Sequence, residues 1–432
     1  MQDEDFTADV KMTPYWWETS PREATARTVL PATADVVVVG SGYTGLNAAL
    51  QMARGGRNVV VCDAEAAGWG CSTRNGGQIS TSVKPGFETL ARRHGDDVAR
   101  RVMQDGRDSL RWIEDFVESE SIDCDFGVVG RFHVAHNEAA LRKLTQSTRN
   151  QPAGFEVPAH VISRAEQRTE LGTDAYCGGV VFPNHASLDP GRYHAGLMER
   201  VRAAGATIVP FCKVNAIVRD GTGFDVATAS GRIRTRNVVI ATNAYSGPLS
   251  RWHQRRIIPI GSYVIATEEI PEALMDELIP RNRVISDTRR VLYYFRASPD
   301  RRRILFGGRV SMSETDPRRS GRLLRRELVR LFPQLHQTRV SHSWMGFVGY
   351  TFDELAHTGQ QDGVHYAMGY CGSGVGMASY LGMRTGQRVL GLPEGETGYG
   401  ATGFPARRYY TGNPWFLAPA INWYRIRDRI NL

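Results

Sequence analysis

Apolar and polar positions between residues 34 and 62 fall into two strand-sized runs with a helix between them. Asp35–Val39 is a β-branched run, Gly40 to Gly45 is a glycine-rich turn, and Leu46–Ala53 begins a helix. Gly55 and Gly56 end that helix before the second run, Asn58–Cys62. Strand, helix and strand in this order make a βαβ unit, which predicts a parallel sheet with a ligand at its strand ends. The period then changes. From Phe87 to Glu120, Val98, Val102, Leu110, Ile113 and Val117 recur at helical spacing among charged neighbours, enough for two helices. A segment at 126–135 and a helix at Glu138–Asn150 lead into a region of alternation. Ile208–Val209, Val214–Val218, Phe224–Thr228 and the buried run Val238–Thr242 read as strands. IIPIGSYVIAT, VLYYF and ILFGGR, between 257 and 310, and FVGYT alternate as in an antiparallel sheet, and Leu323–Phe332 reads as helix. Residues 1–33 form a polar, proline-containing arm whose aromatic cluster, Tyr15, Trp16 and Trp17, has to pack on something.

Composition narrows the classes. At 432 residues, 41% hydrophobic and 23% charged, the chain is an ordinary globular protein able to bury a full core and a large cofactor. No stretch approaches the roughly 20 apolar residues of a membrane span, and the opening residues lack the pattern of a secretory signal, so a cytoplasmic location is the default expectation. Six scattered cysteines show no CxxC or Cys/His spacing, so no metal site and no disulfide framework is expected. The net charge of +8 is almost wholly arginine and is spread along the chain, which fits a solvated surface better than a nucleic-acid interface.

Three glycine clusters carry the chemistry. The first, Gly40, Ser41, Gly42, Tyr43, Thr44 and Gly45, leaves a strand and opens a helix, as a pyrophosphate-binding turn must. Asp63 ends the second strand 18 residues after Gly45 (63 − 45), close to the roughly 20 expected of a ribose-binding acid. That turn alone does not separate FAD from NAD. The second cluster, Gly68 to Gly77, decides for the longer cofactor, because the chain runs on as a small, polar, extended loop where another helix would be expected. The third, Gly369 to Ala378, is a strand running into a helix whose N-terminus suits the negative charge of a reduced flavin's pyrimidine end.

With these clusters and the stretches VVIATNAYSG, PIGSYVIATEE, RILFGGR and HSWMGFVGYTFDE, the chain resembles the D-amino-acid oxidase type of FAD enzymes over nearly its whole length. RNGGQ, ATNAY and the terminal YRIRDR look most like the γ-glutamylputrescine oxidase branch. The resemblance implies an α/β fold: a discontinuous Rossmann-like FAD domain (34–95, 176–250 and 339–390) interrupted by an antiparallel-sheet substrate domain (96–175 and 251–338). An arm (1–33) and a tail (391–432) flank them. It implies cofactor contacts at Gly40, Ser41, Gly42, Thr44, Gly45, Asp63 and Ala64, then at Gly70, Cys71, Ser72, Arg74, Asn75, Gly76 and Gly77. Val214, Ala241, Thr242 and Asn243, and Gly372, Ser373, Gly374 and Val375, complete that set. Tyr263, Tyr293, Tyr294, Trp344 and Tyr350 are expected to line an aromatic substrate slot, with Arg309, Arg296 or Arg74 available to a distant acid.

The implied reaction is oxidation of a C–N bond in a small amine or amino-acid derivative, with oxygen or another acceptor taking the electrons. Two departures matter. Val348 stands where glycine and D-amino-acid oxidases present a carboxylate-binding arginine, and where sarcosine oxidases carry their flavin-tethering cysteine, so noncovalent FAD is expected. No lysine follows Lys213, so the oxygen-assisting lysine of sarcosine oxidases is missing. Two alternatives stay open: a dehydrogenase feeding a quinone or carrier, for which the aromatic and basic segment Trp415 to Arg425 suits peripheral membrane contact, and a flavin-carrying subunit or RNA-modification component.

Overall fold

The computed structural model describes residues 4–22, 28–81, 83–309 and 315–430, with side chains described through Tyr424. The chain builds two mixed sheets. The first has eight strands. Its centre is parallel: Gly231–Ile240, Thr33–Val39, Val59–Cys62 and Thr207–Val209 lie side by side. The valine runs of the inner strands are buried on both faces, as a helix-covered parallel sheet requires. Gly231–Ile240 is longer than the apolar run predicts. Its first half closes an antiparallel meander with Gly223–Thr228 and Val214–Asp220, while its last residues pair with Val364–Met368. Both helices that follow glycine-rich turns, Tyr43–Arg54 and Gly374–Val389, cover this sheet.

The second sheet has nine strands drawn from widely separated stretches. Ile258–Thr267 and Val340–Tyr350 pair antiparallel at its heart, followed outward from Ile258–Thr267 by Ile304–Gly308, Tyr293–Ala297, Val284–Asp287, Arg131–Val134 and Gly179–Phe182. Alternation gives it two distinct faces. Phe132, Tyr263, Ile285, Phe295 and Phe306 form a core that also buries Leu324 and Leu328 of helix Pro317–Leu331. Val264, Leu305, Trp344 and Tyr294 face the other way.

The N-terminal arm is more ordered than its polarity suggests. Phe6–Lys11 adds a parallel edge strand to Val340–Tyr350. Trp16, fully buried, donates its indole N–H to the Asn75 carbonyl at 2.8 Å, and Trp17 donates to Thr73 Oγ1 at 2.9 Å. The cluster therefore packs on the second glycine-rich loop and clamps it against the nine-stranded sheet.

Candidate functional site

The first glycine cluster is built by close approach. A Cβ on Gly45 would lie 1.9 Å from the Gly40 carbonyl oxygen, so helix and strand can meet only without it. Gly42 supplies no capping side chain, and Ser72 Oγ accepts the Tyr43 N–H from the neighbouring loop at 3.0 Å. Asp63 accepts from the Ser41 N–H (2.8 Å), the Ser41 hydroxyl (2.6 Å) and the Glu65 N–H. Burial raises its carboxyl above the usual range, and the Ser41 and Glu65 donors pull it back. A carboxylate offers about four acceptor positions, so a further hydroxyl donor fits. The 211–214 stretch closes this side: Cys212 donates its N–H to the Asp63 carbonyl at 2.6 Å, and Val214 is buried. Ala241 lies 3.1 Å from where a Gly40 Cβ would sit.

The second cluster is a loop locked by its own side chains. Gly70 precedes the short turn Cys71–Thr73, Asn75 donates to the Cys71 and Ser72 carbonyls, and Asn75 Oδ1 accepts the Gly77 N–H at 2.8 Å. Gly76 lies against the Tyr294 ring. Arg74 is held between the Trp17 and Trp69 rings and donates to the Trp69 and Met345 carbonyls. Its guanidinium thus ties the loop to the nine-stranded sheet, and burial lowers its pKa.

The third cluster is open where the first is crowded. Cys371 and Gly372 both have positive φ (49° and 96°), which turns the chain sharply into helix Gly374–Val389. Ser373 makes no side-chain cap. A Cβ on Gly372 would find only Tyr350 Oη, 3.8 Å away, and one on Gly374 only Tyr370 Cβ at 4.0 Å. Asn243 fixes the loop from the sheet below, accepting the Gly369 N–H at 2.9 Å, and Thr242 bonds Ser246.

The two glycine-led helices run side by side in one direction. A Cβ on Gly382 would lie 2.5 Å from the Thr44 carbonyl oxygen, and one on Gly386 would lie 2.7 Å from that of Ala48. Thr44 is one residue into its helix and Gly382 eight into its own (382 − 374). The second helix therefore starts about seven residues earlier, an offset of roughly 10 Å. Two helix N-termini so staggered fit an extended ligand with a diphosphate at one end and, at the other, a ring that gains negative charge on reduction, and the dinucleotide FAD is such a ligand. Thr44 Oγ1 and Tyr370 Oη, 2.6 Å apart, tie the two starts together.

On the nine-stranded sheet, Trp344, Gly346, Val348 and Tyr350 share one face with Ile260, Ser262, Gly307, Arg309 and Tyr294. Gly346 meets the loop here, a Cβ on it lying 3.1 Å from that of Arg74. Trp344 donates to the Arg74 carbonyl and Tyr294 bonds Ser262 Oγ, both at 2.9 Å. Tyr263 lies apart from them. It alternates onto the opposite face, where its hydroxyl accepts the Thr315 N–H, and Tyr293 packs on that face too. Of the three arginines considered for a substrate acid, Arg74 and Arg296 are committed to backbone carbonyls, Arg296 to those of Ala297 and Leu188. Arg309 holds the Gly261 carbonyl at 2.8 Å. Val348 sits opposite Ile260, an apolar pair that itself offers a carboxylate no donor. Sequence reading missed Tyr370, Tyr245, whose hydroxyl accepts the Phe347 N–H, and Ser262. All three lie inside quoted motifs, but nothing in a motif says which side chain turns inward.

Residues 35–388 match the model of the family described as FAD dependent oxidoreductase. The chain is 31% identical to the gamma-glutamylputrescine oxidoreductase of Escherichia coli (strain K12), covering 93% of this chain and 94% of that protein. It is 30% identical to a probable oxidoreductase OrdL of Rhizobium meliloti (strain 1021), with 96% and 97% covered. The fold matches that of glycine oxidase from Geobacillus kaustophilus with a TM-score of 0.69 at 20% identity, over 88% of this chain and 100% of that one. Among the described residues no helix is long and apolar enough to cross a membrane. The chain thus belongs to the family of FAD-dependent oxidoreductases.

Proposed function

We propose that this protein oxidises the C–N bond of a small amine or amino-acid derivative on a noncovalently held FAD, with oxygen as acceptor. The stagger of the two helix starts, which suits the two ends of FAD, carries the reading. The backbone of Gly40, Gly42 and Gly45 and the Asp63 carboxylate hold the ADP half, and the 372–375 helix start takes the flavin's pyrimidine end. When bound, FAD would supply a hydride acceptor for the carbon bearing the amine, and water would hydrolyse the resulting imine.

The chain's own part is placement and protonation. Tyr294, Trp344 and Tyr350 form an apolar surface that disfavours an ammonium and so favours the reactive neutral amine. Burial pushes Tyr294 up to about 12 and raises Tyr350 as well, so both phenols stay protonated and serve as donors rather than bases. The same effect holds the two nearby thiols neutral: burial pushes Cys71 to about 11 and Cys371 to about 12. Neutral thiols are poor nucleophiles, which supports a noncovalent cofactor.

Acid precipitation is expected to leave free FAD in the supernatant, whereas flavin retained on the precipitate shows a tether. Under anaerobic conditions an amine panel including a γ-glutamyl amine is expected to bleach the flavin faster than glycine or D-alanine does. Bleaching by D-alanine alone rejects the substrate reading. Peroxide formed in air during turnover, against reduction of an added quinone, decides the acceptor.

A further inference from the structure

Residues 397–424 dock on the protein by one side and leave the other bare. Phe404 stacks on the His357 ring at 4.1 Å, while Tyr410, fully buried, sets its ring against Phe352 and donates its hydroxyl to the Ile257 carbonyl at 2.7 Å. A Cβ on Gly412 would lie 2.4 Å from Gln254 Cγ, so the chain lies tight on the 251–257 segment. The outward side is different. Tyr409 is 58% exposed, Trp415 65% and Trp423 54%, and Tyr409, Trp415 and Phe416 touch one another with ring centroids 5.8–6.4 Å apart. Helix Leu417–Ile430 follows directly. Its Ile421 is buried, and Trp423, two residues on, stands about 200° round the helix from it, so this ring points away from the protein. Charge accompanies the rings. Residues 247–260 and 397–424, which meet at Gly412, carry five arginines (Arg251, Arg255, Arg256, Arg407 and Arg408) and neither aspartate nor glutamate. Arg256 turns inward to the Phe404 carbonyl, and the other four are exposed. Beside Phe352, Asp353 is engaged by His357 Nε2 at 3.0 Å, which leaves Glu354 as an exposed carboxylate against four exposed arginines.

We propose that this face docks on an anionic lipid bilayer, with Tyr409, Trp415 and Trp423 entering the headgroup layer and the four exposed arginines meeting lipid phosphates. Large rings grouped on a surface mark a contact site, because water is a poor solvent for them. Tryptophan and tyrosine suit the boundary of a bilayer in particular, since each joins an apolar body to a polar edge. Among the described residues the Trp415 and Trp423 indole N–H groups make no hydrogen bond, so both edges are available to headgroups. The charge selects the occupant. A second copy would bring the same arginines face to face, and a net charge of +8 on each chain opposes that approach, whereas an anionic bilayer attracts it. A fluid headgroup layer also takes up three separate rings without a matching surface of its own. Among the described residues no helix is long enough to cross a membrane, so the contact is one of lying on the surface.

The test is flotation of the FAD-loaded protein with vesicles of phosphatidylcholine, with or without a quarter of phosphatidylglycerol. Wild type is compared with the double variants Trp415→Ser/Trp423→Ser and Arg407→Gln/Arg408→Gln. Wild type is expected to float with the anionic vesicles and to bind the neutral ones at least 10-fold more weakly. Each double variant is expected to lose at least about 5-fold of that binding, with FAD content and melting temperature unchanged because all four side chains are exposed. Brominated acyl chains are expected to quench tryptophan fluorescence in wild type and not in the tryptophan variant. Wild type that stays unbound, that binds neutral vesicles equally well, or that floats no better than the tryptophan variant overturns the proposal. A dimer in sedimentation that the tryptophan variant loses also overturns it, since a second copy then covers the rings. Flotation involves no turnover, so its outcome is independent of the amine-oxidation reading.

Discussion

The two strand–turn–helix units of the eight-stranded sheet use glycine for opposite reasons. In the 40–45 turn, added side-chain atoms run into the protein's own backbone or into Ser72, so glycine there lets chain approach chain. In the 372–374 turn the same atoms meet almost nothing, so glycine there leaves room. A glycine pattern in a sequence therefore says that space is needed, but only geometry says whether the protein or a ligand uses it.

Substitutions separate the two uses. The largest effect is expected from Gly45→Val, whose Cβ would lie 1.9 Å from a backbone oxygen: a cost above about 3 kcal/mol, read as loss of soluble, yellow protein. Gly42→Val comes next and tests the boundary, because its Cβ would be 2.8 Å from a movable Ser72 hydroxyl. Circular dichroism is expected to show a folded chain while FAD content falls at least 10-fold; normal FAD content would detach this turn from the cofactor. Gly372→Ala places a side chain at a φ of 96°, with strain of about 1–2 kcal/mol and a melting point a few degrees lower. Gly374→Ala has the smallest expected effect, a gain of about 0.5 kcal/mol from reduced unfolded-state freedom. Its flavin absorption maximum should nonetheless move, and an unshifted spectrum would mean that the open turn faces something other than the flavin.

Much of the fold was legible because period and turn chemistry agree along the chain. The βαβ unit, the paired helices now seen at Phe87–His94 and Asp96–Ser119, and the strands that hold SYVIAT and FVGYT follow from spacing alone. The helix Pro190–Ala203 was overlooked although Asp189 caps it and Pro190 opens it, a legible start signal. The edge strand Phe6–Lys11 was hidden because its outer positions are polar and its partner lies more than 300 residues away. In the candidate site, glycine and loop positions were readable as motifs, but side-chain direction was not. Tyr293 and Tyr294 are adjacent in YYF, and parity alone sends one to the core and the other toward the loop. Arg74 and Arg296 look like anion-binding side chains in a sequence, yet each is occupied by backbone carbonyls, one of them from a distant segment.

The parallel pairing of Phe6–Lys11 with Val340–Tyr350 has a consequence for biosynthesis. Once made, this strand cannot find its partner until some 330 residues more have been made (340 − 11), which at 5–20 residues per second is on the order of 15–65 s. Throughout that interval Trp16 and Trp17 also lack the sheet against which they clamp the second glycine loop. The nascent chain thus carries an exposed aromatic segment throughout that interval, a natural stretch for a chaperone to hold. The clamp closes only after Val340–Tyr350 has been made, so the second glycine loop is secured late, long after its own residues have been synthesised.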